Sequence, residues 1–282
     1  MNGRLSSSSR KSGVYMPPLV KDWEKDVVYL VQIPRAGAIP SVSPYCMKLE
    51  TWLRMANIPY RNVSNEFSYV SHKGQVPFVE LNGRQYADTN HIITDLTKTF
   101  NVQLDNHLSE KEWADMQAYH CLVENAILWV NFYYRAINNN YLATNDGIMA
   151  HFSGFKKFWF KNVVMGQRKK ALKKKCDAIG IGKDTPYEVE TVGKKWLTAL
   201  SIFLDEKKFM MGDTPTTVDA TTFATLCQFY YLPVNADLKN LIEEKRNLID
   251  YIRNMREEFW PDWGECTTTL SLQTKPKQKE ID

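Results

Sequence analysis

The chain from Val27 to Ile33 reads VVYLVQI, a nearly continuous β-branched run that predicts a strand buried on both faces. After a loop closed by Pro44, apolar positions at Met47, Leu49, Leu53 and Met55, with Trp52 between them, predict a helix over Cys46 to Ala56. Asn57-Ile58-Pro59 stops it, and Tyr60 to Val63 supplies the next strand. A strand, helix and strand in that order predict a right-handed parallel crossover. Val76 to Leu81 and Arg84 to Ala87 then flank Asn82-Gly83, the dipeptide of a tight hairpin, and Asp88-Thr89 caps a helix of His91 to Phe100.

Beyond residues 100 to 109 the pattern lengthens from short units to helical ones. Ser109 with Glu112 forms a capping box ahead of a helix through about Ile137. Thr185-Pro186-Tyr187-Glu188 combines a cap, a first-turn proline and an acidic third position. Thr216-Thr217-Val218-Asp219 opens another helix, and Arg246 to Phe259 makes a last one. The expected fold class is an α/β thioredoxin-like N-terminal domain followed by an all-α C-terminal domain. Residues 1–22 and 265–282, polar and poor in core formers, are expected to be flexible tails around a 23–100 domain, a 101–108 linker and a 109–264 helical domain.

Composition narrows the function more than it names one. With 36 Lys and Arg against 32 Asp and Glu, the net charge of +4 is too mild to point to nucleic acid. The five cysteines follow no paired spacing, which favours a reducing, cytoplasmic setting over a disulfide framework. No CxxC, zinc-type Cys/His spacing or phosphate-cradling glycine motif occurs, so no metal or nucleotide is expected. No apolar run reaches the roughly 20 residues of a bilayer span. Lys156 to Lys175 carries nine Lys and Arg and no acid beside Phe155, Phe158 and Trp159. That run reads either as a solvated helix face or as a peripheral contact for anionic membrane.

Ser43-Pro44-Tyr45-Cys46 resembles the Cys-Pro-Tyr-Cys site of a glutaredoxin with serine in the leading place. Taken with Val76-Pro77, Asp88-Thr89 and Gly212 to Asp219, it resembles the glutathione transferase superfamily over about residues 25 to 263. The phrases around Ile33-Pro34-Arg35, Gly74 to Glu80 and Gly212-Asp213-Thr214-Pro215 resemble the failed axon connections family, a metaxin-related branch of that superfamily. This resemblance implies a role in axon development and neurogenesis through unidentified protein partners, with glutathione as ligand or co-substrate and weak or absent catalysis. The alternative is an active serine-type transferase, and a homodimer fits either.

By the same resemblance, Ser43 at a helix N-terminus is the thiol-activating candidate, with Ser41 as neighbour, or is merely an N-cap. Cys46 stands in the place of the buried second thiol and is a lesser candidate. Val76 and Pro77 form the expected cis-proline turn against the cysteinyl part of glutathione. Asp88 and Thr89 face its γ-glutamyl carboxylate, and Lys73 its glycine carboxylate. The long helix from Glu110 offers Trp113, Gln117, His120 or Glu124 to the second-substrate pocket; its pattern does not choose among them, and His120 is assigned no role.

Overall fold

The computed structural model describes residues 17–273. A four-stranded sheet is built from β1 (Val28–Gln32), β2 (Tyr60–Ser64), β3 (Phe78–Leu81) and β4 (Arg84–Ala87), in the spatial order β2-β1-β3-β4. β1 runs parallel to β2, with Val28 opposite Tyr60 and Gln32 opposite Ser64. It runs antiparallel to β3, which returns as the hairpin to β4. Asn82 and Gly83 both have positive φ, 50° and 75°, as a two-residue turn matched to strand twist requires. The crossover α1 (Pro44–Met55) and the helix α2 (Thr89–Phe100) complete the thioredoxin-like unit that the sequence predicts.

The second unit is helical. α3 (Glu110–Leu122) passes through one wider turn at Val123–Ile127 into α4 (Leu128–Ile137), so the helix opened by Ser109 is a single run. α5 (Gly154–Trp159) and α6 (Met165–Ile179) are joined in the same way through Phe160–Val164. α7 (Pro186–Leu204) starts at the Thr185 and Glu188 box with Pro186 in its first turn. α8 (Thr217–Tyr230) forms the centre, buried from Val218 to Phe229, and α9 (Ala236–Glu244), α10 (Arg246–Phe259) and α11 (Trp263–Thr269) surround it.

Every residue of α1 except the half-buried Tyr45 is buried, because α8 packs on it and Gln32, Tyr60 and Asn62 of the sheet reach its side chains. Its charged side chains, Lys48, Glu50 and Arg54, are each paired with an opposite charge. Glu50 accepts from Arg35 at 2.6 and 2.7 Å and from Arg54, Gln32, Asn62 and Tyr60. Arg54 in turn binds Asp262 at 2.5 Å and lies 3.7 Å from the Trp260 ring centre.

One expectation changes: the segments expected to be tails are ordered at their inner ends. The Leu19 and Val20 N–H groups donate to the buried Glu80 carboxylate at 2.8 and 3.0 Å, and Cys266 in α11 is fully buried. The outer parts, residues 1–16 and 274–282, lie outside the described residues. The loop from Pro34 to Val42 is largely buried. It is tucked against residues 145–151, with the Ala38 N–H on the Asp146 carbonyl and the Arg35 carbonyl on His151 Nε2.

Candidate functional site

Pro44 and Tyr45 begin α1 because Pro44 sets φ in the first turn and Ser43, in extended backbone, accepts the Cys46 N–H at 3.3 Å. Ser43 is half-buried, and its hydroxyl sits where the helix dipole concentrates positive charge. Across from it the Val76–Pro77 bond is cis, as predicted. Among the described residues the Val76 backbone N–H and C=O form no hydrogen bond within the chain. Asp88, at φ 81°, caps α2 by accepting the Asn90 and His91 N–H groups, while the Thr89 N–H at the helix start has no intrachain acceptor.

Two adjoining cavities connect these groups. An outer one of about 410 Å³ is lined by Val76, Pro77, Asp88, Thr89, Glu124 and Lys175, among others. An inner one of about 280 Å³ is lined by Ser43, Val42, Val76 and mostly apolar side chains from α4 and α6. Tyr45, Val76, Phe132 and Leu172 belong to both. The volumes are those of small-molecule sites.

Of the residues singled out from the sequence, Ser43, Val76, Pro77, Asp88 and Thr89 therefore converge on one cleft. Lys73 lies off its wall, with its Nζ on the Ala87 carbonyl at 3.2 Å; the lysine on the wall is Lys175, from α6. Cys46 is fully buried, and burial pushes its thiol up to about 11 against hydrogen bonds from Ser43, Ile33 and Ser41. It is a thiol of the core. Ser41 is also fully buried, its Oγ accepting the Ser43 N–H, and takes no part in the wall.

From the long helix, Glu124 lines the outer cavity, but Trp113 and Gln117 are exposed elsewhere and His120 is turned onto Glu124 and Thr221. Glu124 accepts from Lys48 at 2.7 Å and from His120 at 2.9 Å. Burial alone would raise its carboxyl, but these two partners hold it down to about 2, so it is ionised. Tyr45 is held well above its ordinary value, by burial first and then by Glu124 and Asp88, so its phenol is a neutral donor. Trp129, Phe132, Arg135 and Lys175 carry no local motif and escape a reading of sequence alone. Among the described residues, no group of His, Cys, Asp and Glu has metal-holding geometry.

Comparison with known proteins places this architecture. A model of the glutathione S-transferase N-terminal domain matches residues 44–141, and a model of the glutathione S-transferase C-terminal domain matches residues 193–255. A metaxin-2 homolog of Caenorhabditis elegans is 30% identical over 207 residues, covering 72% of this chain and 87% of that protein. The chain belongs to the metaxin-related branch of the glutathione S-transferase superfamily. Within that branch, the expected likeness to failed axon connections is found in the Drosophila melanogaster protein of that name, 37% identical over 274 residues. The match covers 92% of this chain and 65% of that protein, so the chain spans less than two thirds of that relative's length. Glutathione transferase F2 from Populus trichocarpa shares the transferase fold at a TM-score of 0.56 and 14% identity, over 86% of this chain and 99% of that one.

Among the described residues, the cleft thus presents backbone groups at Val76 without intrachain partners, helix N-termini at Ser43 and Thr89, and an ionised Glu124 already held by Lys48 and His120. Among the described residues, no helix is long and apolar enough to cross a membrane.

Proposed function

We propose that the outer cavity binds glutathione and that the protein acts in axon development, as the name of its Drosophila relative suggests, with conjugation slow or absent. The observation that carries the binding reading is the convergence of Val76, Thr89 and Ser43 on one cleft within a transferase fold. The reason to expect slow chemistry is that Ser43 is already engaged: its oxygen accepts the Cys46 N–H and lies against the Cys46 thiol. A hydroxyl shared in this way stabilises a bound thiolate less than one committed to it. The protein is proposed to be cytoplasmic and to reach its partners through surfaces outside the cleft.

Calorimetric titration of glutathione tests this. Binding in the micromolar to millimolar range is expected for the native chain, with affinity lowered several-fold in Thr89→Val and little changed in Ser43→Ala. Because Ser43 is also an N-cap, Ser43→Ala is expected to lose about 1 kcal/mol of stability and Ser43→Gly only a few tenths. Absence of binding at 10 mM glutathione would remove the reading. Rapid Ser43-dependent turnover across a panel of electrophiles would instead establish the active serine-type enzyme, which the position of Ser43 on the inner wall favours.

A second surface bears on localisation. Phe155, Phe158 and Trp159 are 77, 64 and 51% exposed on one side of α5, beside Lys156 and Lys161. Exposed aromatics among lysines are the composition of an interfacial anchor on anionic lipid. Flotation with phosphatidylserine vesicles is expected to recover the native chain at low salt and to fail for the Phe155→Ser/Phe158→Ser/Trp159→Ser variant. Equal recovery of the two, or recovery insensitive to salt, would exclude the membrane contact.

A further inference from the structure

The segment 65–77, which joins β2 to β3, reaches the helical unit through Phe67. Asn65 builds the turn that presents it. Its Oδ1 accepts the Phe67 N–H at 3.1 Å, its carbonyl accepts the Ser68 and Tyr69 N–H groups at 2.9 and 2.8 Å, and its Nδ2 donates to the Tyr69 carbonyl. The turn holds Glu66 and Phe67 at φ 49° and 55°, two consecutive left-handed residues that both carry a Cβ. Such residues are unfavourable in themselves and persist where surrounding contacts hold them.

For Phe67 those contacts come from the other unit. Its ring centre lies 4.9 Å from that of Phe152, 5.5 Å from Phe160 and 5.9 Å from His151, and Phe152 and Phe160 stack on each other at 4.2 Å. The exposed Arg168 of α6 donates from Nη2 to the Phe67 carbonyl at 3.2 Å, with its guanidinium 5.5 Å from the Phe160 ring centre. Among the described residues this is the one hydrogen bond between α6 and the thioredoxin-like unit. The α5–α6 run also has two joints. Gly154, at φ 51°, opens α5 without a side-chain cap, and the wider turn from Phe160 to Val164 leads into α6. Wide turns inside helices recur at functional sites.

This contact ties together the two walls of the cleft. Segment 65–77 supplies Val76 to both cavities, while α6 supplies Leu172 to both and Lys175 to the outer one. We propose that Phe67 and Arg168 form a clasp that holds the α5–α6 run against segment 65–77, and that its release opens the cleft. On release, Phe67 leaves its aromatic socket, Glu66 and Phe67 leave the left-handed region, and α6 moves away from Val76 about Gly154 and the Phe160–Val164 turn. Aromatic contacts and one cationic hydrogen bond favour the closed state, and the left-handed pair opposes it, so closure is a balance that small changes shift. The clasp needs no ligand and stands whether or not glutathione binds.

Amide hydrogen exchange of the whole chain tests this, comparing the native protein with Phe67→Leu and Arg168→Met, which keep most of the bulk of the wall. Exchange in residues 65–77 and in residues 152–168 is expected to speed up together, by about tenfold in Phe67→Leu and several-fold in Arg168→Met, while β1 and α8 are unchanged. Access is read in parallel. Met165→Cys places a thiol on the inner wall, and Cys121→Ser removes the exposed native thiol, the other native cysteines being buried. Modification of that thiol by methyl methanethiosulfonate is expected to quicken by the same factor as exchange in each clasp variant. If Phe67→Leu fails to fold, the Arg168→Met result decides. Acceleration confined to the substituted segment, no acceleration in either variant, or a modification rate that ignores both substitutions would each overturn the proposal.

Discussion

Glu50→Ala is expected to lower stability by about 3–5 kcal/mol, because it leaves the Arg35 and Arg54 cations buried without their common partner. Glu50 is fully buried and accepts hydrogen bonds from five side chains, two of them arginines. Against a typical total of about 5–15 kcal/mol, a loss of that size depletes the folded population at body temperature. Urea unfolding measures it. A double substitution, Glu50→Leu with Arg35→Met, removes both charges and is expected to cost less than Glu50→Ala alone. A shift under about 1 kcal/mol for Glu50→Ala would show that the ion network is dispensable, since surface pairs reach only that much.

The same carboxylate predicts a pH dependence. Burial alone would raise Glu50, yet Arg35 and Arg54 hold it well below the usual carboxylate range, and Glu124 is likewise held down to about 2. A depressed folded value means that the stabilisation is complete above the unfolded value, near pH 4.3, and is lost as pH falls through the folded one. Acid unfolding between about pH 4 and 2 is therefore expected, and Glu124→Gln should flatten part of that limb.

Asp219→Ala is expected to be comparably damaging, at roughly 3 kcal/mol or more, since it strands several buried donors at once. Its Oδ2 accepts the Thr216 N–H and hydroxyl at 2.8 Å each, and its Oδ1 accepts the Met210 N–H at 2.7 Å and the Tyr251 hydroxyl at 3.0 Å. One side chain thus starts α8, fixes the preceding turn and anchors α10. Asp219→Asn keeps one acceptor and places an NH₂ group toward donors, so it should still lose more than half of that amount. A thermal melt of Asp219→Ala within 2 °C of the native chain would contradict this.

Here the pH effect has the opposite sign. Burial pushes the Asp219 carboxyl up to about 6 against its hydrogen bonds. A raised folded value gives stabilisation that is full below the unfolded value, near 3.9, and is lost as pH rises through about 6. Asp219 and Glu50 therefore bend the stability curve in opposite directions, and their joint contribution should be greatest between about pH 4 and 4.5.

Local chemistry was readable in the sequence. The Ser109, Thr185 and Thr216 boxes, the Asn82-Gly83 turn and the cis-proline position each depend on residues within a few places of one another, and all take the predicted form. What could not be read were pairings between distant segments. Lys48, Glu50 and Arg54 occupy positions that a helical pattern assigns to solvent, and only the folded chain brings Glu124, Arg35 and Asp262 to meet them. The cleft divides the same way. Ser43, Val76 and Thr89 lie in recognisable motifs, whereas Arg135 and Lys175 reach the cavities because α4 and α6 pack over them. The helix of Cys266 was missed because its seven residues are mostly polar, and its burial comes from docking beside Arg54 and Asp262.

The enclosure of α1 limits how this cleft can change over evolutionary time. A helix with a solvent-facing stripe tolerates drift at every third or fourth position, but α1 offers only Tyr45 for that purpose. New specificities at this site must therefore be acquired from outside, on the α4 and α6 wall, while the helix that presents Ser43 stays nearly fixed in sequence.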